Sequence, residues 1–181
     1  GFGFLNLLRA VQVMESNQYV TASVAPGNTN TFNFSVPANT AQLKVMLYWH
    51  DPATNVLASK TLVNDLDLEL TTPASTVVLP RLLDTLAANV NNIAGTGADH
   101  INNIEQVTIA NPASGNYTVR VKGTSVPVNS PQEYFVVYDI VPVSTVLTNP
   151  VGGDRFKPGK IFLDSMNITW DSYGNPNSTF N

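Results

Sequence analysis

The segment Asn116-Tyr-Thr-Val-Arg-Val-Lys122 alternates apolar and polar side chains at every second residue. Tyr117, Val119 and Val121 fall on one side of an extended chain, and the polar residues between them fall on the other side. This pattern predicts a half-exposed β-strand whose apolar face packs on a core.

Short runs rich in Val, Thr, Tyr and Phe continue this texture from Tyr19 to Val141, and clusters of Pro, Gly and Asn separate them. Eight runs are predicted as strands: Tyr19–Ala25, Thr31–Val36, Gln42–His50, Val63–Leu70, Thr76–Leu79, Glu105–Ala110, Asn116–Lys122 and Glu133–Val141. Eight such strands are typical of a jelly-roll β-sandwich, so the predicted fold class is all-β.

The two ends of the chain differ from this central part. Apolar residues recur at near-helical spacing between Gly3 and Glu15, which predicts one short N-terminal helix. The stretch after Pro142 holds about forty residues, which is too few to close a sandwich. We therefore divide the chain into a helix at 1–16, a sandwich at 17–141, and a linker with an incomplete β-segment at 142–181. The segment Arg81–Asn103 is predicted to be a long loop.

Composition excludes several classes of partner. The sequence has nine Lys and Arg residues and thirteen Asp and Glu residues, which give a net charge of −4. It has no run of basic residues of the kind that binds nucleic acid. The longest apolar stretches are much shorter than the roughly 20 residues that span a bilayer, so no membrane span is predicted. The chain has no cysteine, which excludes disulfides and thiolate metal sites.

The segment Leu62–Leu70 carries the densest chemistry. Asp65, Asp67 and Glu69 alternate with leucines, so in a strand the three carboxylates point to one side. Like charges at this spacing repel each other, and Asp is a poor strand former. The arrangement therefore calls either for a bound cation or for an exposed acidic surface.

Two other oxygen-rich segments, His50-Asp51 and Asp99–Glu105, could converge on this strand. Calcium takes about 6–8 oxygen ligands, and the three segments could supply such a set. Spacing alone does not distinguish this site from a solvated acidic surface. Zinc is less expected because its usual ligands are Cys and His. His50 and His100 are the only candidates, and we expect both to be ordinary loop or strand-end residues.

Five motifs in a characteristic order carry a family resemblance. They are Leu47-Tyr-Trp-His-Asp-Pro-Ala53, Thr61-Leu-Val-Asn-Asp-Leu-Asp-Leu68, Asn102-Asn-Ile-Glu-Gln-Val107, Pro112-Ala-Ser-Gly-Asn-Tyr-Thr-Val119 and Val126-Pro-Val-Asn-Ser-Pro-Gln-Glu-Tyr-Phe135. In combination they resemble the C-terminal β-sandwich domain of secreted bacterial subtilisin-like (subtilase) proteases, which is broadly similar to the P-domain of kexin-type enzymes. Gly1–Val11 looks like the closing helix of a subtilase catalytic domain. The segment Val146–Trp170 is similar to the start of an Ig-like or fibronectin-like repeat.

This resemblance implies bound Ca²⁺ in the sandwich. The ligands it implies are Asp51, Asp65, Asp67 and Glu105, with Asn64, Asn102 and Asn103 as weaker candidates. It also implies a secreted or cell-surface bacterial protein in which the sandwich stabilises the preceding catalytic domain of the same chain. Assistance in binding a protein or polysaccharide substrate is a further implication.

The sequence predicts that this chain is not itself an enzyme. The local signatures of a subtilase triad, a Gly-x-Ser-x-Gly elbow and a phosphate loop do not occur in it. A glycosidase would need two carboxyl groups across a sugar cleft, not neighbours on one strand. The main rival is a carbohydrate-binding jelly roll that stacks exposed aromatic rings on sugars. Trp49 shares strand parity with Leu43, Val45 and Leu47, so we predict that it lies in the core.

Overall fold

The computed structural model describes residues 6–84, 86–149 and 168–173. Its strands form a sandwich, which confirms the all-β prediction. In chain order the elements are α1 (Leu7–Glu15), β1 (Tyr19–Val24), β2 (Thr29–Val36), β3 (Thr40–Trp49), β4 (Asp65–Thr71), β5 (Val77–Val78), β6 (Arg81–Leu82), β7 (Gly95–Thr96), β8 (Ile104–Ala110), β9 (Gly115–Ser125), β10 (Gln132–Pro142), β11 (Ser144–Asn149) and β12 (Thr169–Tyr173).

Two four-stranded antiparallel sheets form the sandwich. Sheet I has the strand order β1-β10-β3-β8, and sheet II has the order β2-β9-β4-β5. These eight strands are the eight that the sequence predicts. If they are numbered one to eight, the orders become 1-8-3-6 and 2-7-4-5, which is jelly-roll connectivity. The first four strands therefore alternate between the two sheets.

The core lies between the sheets and follows the predicted alternation. Trp49 is fully buried, as predicted, and its Nε1 donates a hydrogen bond to the Asn64 carbonyl at 3.0 Å. Burying an indole with its N–H bonded combines a large apolar contact with a satisfied donor. Buried apolar residues recur at every second position of β3, β4 and β9, and they include Leu43, Val45, Leu47, Leu66, Leu68, Leu70, Tyr117, Val119 and Val121.

Helix α1 packs on the outer face of sheet I. Asn6 caps its N-terminus by accepting a hydrogen bond from the Arg9 backbone N–H at 3.0 Å. Arg9 forms an ion pair with Asp139, which alternates to the outward side of β10, and Val13 is buried. The predicted helix is thus confirmed for Leu7–Glu15. Its first predicted residues lie outside the described part of the chain.

Two smaller pairings lie outside the sandwich. Strands β6 and β7 pair within the segment 81–103, so the prediction of a long loop there missed two short strands. Strand β11 pairs with β12. Residues 150–167 and 174–181 lie outside the described ranges, so a following Ig-like unit and the predicted domain boundaries stay predictions. In the described ranges, α1 falls well short of the length that a transmembrane helix needs.

Candidate metal centre

The site begins at an open edge of β4. On one side β4 pairs with β9 along its whole length. On the other side the short strand β5 reaches no further than Leu70 and Thr71 within the described chain. Glu105 of β8 occupies part of the open edge, and its Oε2 accepts a hydrogen bond from the Leu68 backbone N–H at 2.7 Å. A carboxyl group from sheet I thus takes the place of a neighbouring strand in sheet II.

Asp65 and Asp67 lie at this end of β4, beside the loop that carries His100. The His100 Nδ1 atom is 3.1 Å from Asp65 Oδ2 and 3.6 Å from Asp67 Oδ1. One ligand atom from each of the three residues lies within 4.8 Å of the other two. Glu105 lies outside this close group but interacts electrostatically with Asp65 and Asp67. We call these four residues, Asp65, Asp67, His100 and Glu105, the carboxylate centre.

Two carboxylate oxygens of this centre are buried without a hydrogen-bond partner among the described residues. They are Asp67 Oδ1 and Glu105 Oε1. The second oxygen of Asp67 accepts a hydrogen bond from the Thr124 hydroxyl, and the Glu105 residue is only 1 % exposed. Since a buried polar atom without a partner costs about 1–3 kcal/mol, such atoms call for an explanation.

Burial raises the pKa of Glu105 to about 9, although the hydrogen bond from the Leu68 N–H acts in the opposite direction. The charges of Asp67, Asp99 and Asp65 raise this pKa further. Without an added cation, Glu105 is therefore a neutral acid at pH 7. A bound cation would favour the ionised form, so metal binding at this position would displace its proton.

Few positive charges face this group of acids. Lys60 Nζ lies 3.5 Å from Asp65 Oδ2, and the Lys60 side chain is 54 % exposed. Asp67 has no lysine or arginine within ion-pair distance in the described part of the chain. The exposed Lys60 side chain contributes little because solvent screens it. The centre therefore keeps an excess of negative charge.

Of the seven predicted ligands, Asp51 and Asn64 hold the backbone at the entry to β4. The Asp51 carboxylate accepts the backbone N–H groups of Val63 at 2.8 Å and Asn64 at 2.7 Å. The buried Asn64 amide donates to the Val128 carbonyl at 2.8 Å and to Gln132 Oε1 at 2.7 Å. Its own Oδ1 accepts the Val128 N–H at 3.2 Å. Both side chains are thus engaged in fixing loops.

Asn102 and Asn103 fix the loop that carries His100. Asn102 Nδ2 donates to Asp99 Oδ2 at 2.7 Å, and Asn103 Nδ2 donates to the Trp49 carbonyl at 2.9 Å. Asp99 Oδ1 also accepts the backbone N–H of Ile101 at 2.9 Å. The structure therefore brings Asp65 and Asp67 together with His100. The buried Glu105 interacts electrostatically with both aspartates, and the other four predicted residues lie in the surrounding frame.

His100 is the residue that the sequence reasoning did not select. It belongs to the segment Asp99–Glu105, which was expected to converge on β4. That expected convergence is the feature of the sequence that could have pointed to His100. The contact of its imidazole with two aspartates depends on the loop conformation that Asp99 and Asn102 set. No local pattern around His100 distinguishes it from a surface histidine.

Residues 28–123 match the family described as the bacterial pre-peptidase C-terminal domain. This range covers more than half of the chain and contains the whole carboxylate centre. The chain belongs to this family. Pre-peptidase C-terminal domains are non-catalytic accessory domains of peptidases. The resemblance to a protease C-terminal β-sandwich is therefore confirmed.

Similar proteins include peptidases of several kinds. The serine protease/ABC transporter B family protein tagA of Dictyostelium discoideum is 32 % identical over 113 residues, which are 61 % of this chain and 6 % of that protein. The chain thus spans a small part of that relative. The pre-peptidase C-terminal domain of a Bacillus anthracis collagenase is 14 % identical with a TM-score of 0.40, covering 67 % of this chain and 87 % of that one. A serine protease of Aeromonas sobria is 15 % identical with a TM-score of 0.29, covering 77 % and 31 %.

Proposed function

We propose that this pre-peptidase C-terminal domain binds Ca²⁺ at the carboxylate centre and stabilises a secreted subtilisin-like serine protease. The catalytic domain of that protease would precede it in the same chain. The observation that carries the proposal is the pair of buried, unpartnered carboxylate oxygens, Asp67 Oδ1 and Glu105 Oε1. A cation between these side chains would satisfy both oxygens and offset their mutual repulsion.

Calcium suits this centre because most of its donors are oxygens. Asp65, Asp67 and Glu105 offer carboxylates, and backbone carbonyls and water complete the 6–8 ligands that Ca²⁺ ordinarily takes. Three carboxylates exceed the charge of one divalent ion, which favours tight binding. With no disulfide available, ion binding is one way to fix the loops of an extracellular domain.

An ion at this position would join the two sheets. Asp65 and Asp67 belong to β4 of sheet II, and Glu105 belongs to β8 of sheet I. A ligand that binds the folded state alone stabilises it by about 2.7 kcal/mol at a hundredfold excess over its Kd. Calcium would therefore raise the free energy of unfolding of the sandwich itself.

Helix α1 supports the proposed contact with a preceding domain. One set of its apolar residues is 50–69 % exposed although the helix packs on sheet I through Arg9 and Val13. These exposed residues are Leu7, Leu8, Val11 and Met14. An apolar stripe of this kind favours burial against another surface. A catalytic domain on the N-terminal side would meet this helix first.

The proposal is tested by following thermal unfolding of the 181-residue chain during a Ca²⁺ titration. We expect the Tm to rise with Ca²⁺ and to fall back when a chelator is added. Asp67→Asn should remove this response, because it replaces the ionised group that holds the unpartnered oxygen. Asp84→Asn is the matched control, since Asp84 is exposed and bonds Leu86 and Asn89 nearby. A Tm that ignores Ca²⁺, or an equal response in both variants, would contradict the proposal.

One observation favours a second candidate function, the binding of polysaccharide. Tyr48 and Phe135 are cross-strand partners on the outer face of sheet I and are 41 % and 37 % exposed. Tyr19, on the outward side of β1, is 49 % exposed. Exposed aromatic rings on a sheet face can stack on sugars, whereas Trp49 is buried and unavailable for this.

Affinity electrophoresis in polysaccharide gels tests this second candidate. If the aromatic face binds sugar, wild-type protein migrates more slowly in at least one gel, and Tyr48→Ala removes the retardation. Unchanged migration of wild type in every gel, or equal retardation of the variant, would contradict it. Val77→Ala, at an exposed position of β5 in the other sheet, is the control.

A further inference from the structure

We infer that the carboxylate centre also takes a borderline first-row divalent cation such as Zn²⁺, with His100 Nδ1 as a direct ligand beside Asp65 and Asp67. The inference rests on the proposed function, since the same carboxylates would hold Ca²⁺. It goes beyond that function by adding a nitrogen donor and a second class of cation. Calcium binding and zinc binding at this centre then share the aspartates and differ in their dependence on His100.

The spacing of the donor atoms fits a single ion. His100 Nδ1 lies 3.1 Å from the nearer Asp65 oxygen and 3.6 Å from Asp67 Oδ1. Ligands about 2.0–2.2 Å from a tetrahedral zinc ion lie about 3.4 Å from one another. His100 is thus already separated from each aspartate by nearly the distance that a shared ion would impose. Their ligand atoms also lie within 4.8 Å as a group.

Glu105 supplies an independent indication of a ligand. Its residue is 1 % exposed, its Oε1 has no hydrogen-bond partner among the described residues, and its carboxyl group interacts electrostatically with Asp65 and Asp67. A surface cluster of acids would turn its oxygens to water. Here Glu105 interacts with the aspartates from a buried position, and one of its oxygens is left unsatisfied.

The type of donor atom decides for which cation the binding affinity depends on His100. Imidazole nitrogen suits zinc, copper, iron and nickel, whereas calcium is bound by oxygen. Loss of the imidazole should therefore weaken a borderline cation strongly and calcium weakly. The carboxylates of Asp65 and Asp67 serve both classes of ion, so their loss should weaken both.

A solvent path to the ligands exists. The His100 side chain is 51 % exposed, and its neighbour Ile101 is 63 % exposed. Asp99 and Asn102 nevertheless hold the loop in place. An ion can thus enter from outside and reach His100 Nδ1 without unfolding the loop.

Isothermal titration of the tag-free 181-residue chain with ZnCl₂ and with CaCl₂ tests the inference. We expect one zinc site per chain, and His100→Gln should lower the zinc affinity by at least about tenfold. The same variant should keep the Ca²⁺ affinity and the Ca²⁺-induced rise in Tm. The control is His50→Gln, which changes the other histidine of the chain and should leave both affinities unchanged.

Competition and a second variant complete the design. Added Ca²⁺ should lower the apparent zinc affinity, and Asp67→Asn should weaken both ions. Equal zinc affinity in wild type and His100→Gln would overturn the inference. Zinc binding that is unaffected by Ca²⁺ concentrations that do raise the Tm would overturn it too. If zinc binds through His100 while Ca²⁺ has no effect on Tm, the calcium proposal fails alone. If Ca²⁺ binds and zinc does not, the present inference fails alone.

Discussion

Asp67 and Glu69 lie two residues apart on β4, and the protein treats their charges differently. Glu69 accepts a hydrogen bond from Arg120 across the strand pair at 3.0 Å, and both side chains are partly exposed. Asp67 has Lys122 as its register neighbour, yet the two form no ion pair in the described part of the chain. Its carboxylate lies by Thr124 and His100 instead, with one oxygen unsatisfied.

The difference shows how one alternating strand can carry two kinds of acid. Strand β5 pairs with β4 at Leu70 and Thr71. Next to this paired stretch, Glu69 has an ordinary surface partner, Arg120. Where the edge of β4 is open, Glu105 reaches across from the other sheet. The acids there have the exposed Lys60 beside Asp65, and Asp67 has no lysine or arginine partner in the described part of the chain. An unpaired strand edge therefore leaves a backbone N–H that a carboxyl group from the other sheet can bind.

The largest expected effect comes from removing the Glu105 side chain. Glu105→Ala should lower the free energy of unfolding by roughly 2–4 kcal/mol, because it leaves a cavity and an unpaired Leu68 N–H. Glu105→Gln keeps an acceptor for this N–H, so we expect a change within about 1 kcal/mol in the absence of calcium. The amide should nevertheless abolish the response to Ca²⁺. Urea unfolding with and without Ca²⁺ measures both effects, and an equal loss in the two variants would contradict this account.

The pH dependence of stability separates Glu105 from Glu69 further. The folded pKa of Glu105 is raised to about 9 from an ordinary value of 4.5, so the folded state binds the extra proton between these values. Its contribution is complete below pH 4.5 and is lost as the pH rises through 9. Without metal, the free energy of unfolding should fall across this window, and Ca²⁺ should stabilise more at pH 8 than at pH 5.

Thermal unfolding from pH 5 to pH 9 measures this slope in calcium-free buffer. Glu105→Gln should flatten the slope because the amide does not titrate. Glu69→Gln is the control and should keep the wild-type slope. A wild-type slope that survives in Glu105→Gln would show that another group causes it.

The smallest expected effect concerns the ordinary ion pair. Glu69→Gln should lower the free energy of unfolding by about 0.2–1 kcal/mol, since exposed pairs are weak and salt screens them. It should leave the Ca²⁺-induced rise in Tm unchanged. Urea unfolding at low and high salt checks the first statement. A loss of the calcium response in this variant would place the ion further along β4 than we propose.

Part of the fold and of the carboxylate centre could be predicted from the sequence. The eight sandwich strands were predictable because alternation is local, as in Tyr117, Val119 and Val121 of β9. The approach of the Asp99–Glu105 segment to Asp65 and Asp67 was expected because both segments are rich in oxygen-bearing side chains. Glu105 is a case that alternation alone does not explain, because it is a buried acid on the core side of β8.

Other parts of the site could not be read from the sequence. Asp51 Oδ1 accepts the backbone N–H of Asn64 at 2.7 Å, and Asn64 Oδ1 accepts the backbone N–H of Val128 at 3.2 Å. Both contacts form only on folding. A sequence motif does not show whether its Asn and Asp side chains bind an ion or a backbone group. His100 depends on a loop conformation, and the β6–β7 pair has only two residues per strand.

The most direct test of the central claim is a crystal structure of the 181-residue chain grown with CaCl₂, with anomalous data to identify the ion. The account predicts one ion within about 2.3–2.6 Å of oxygens from Asp67 and Glu105. In that structure both unpartnered oxygens would be satisfied and Lys60 would remain at the surface. An ion bound elsewhere, or a centre filled by water at millimolar calcium, would contradict it.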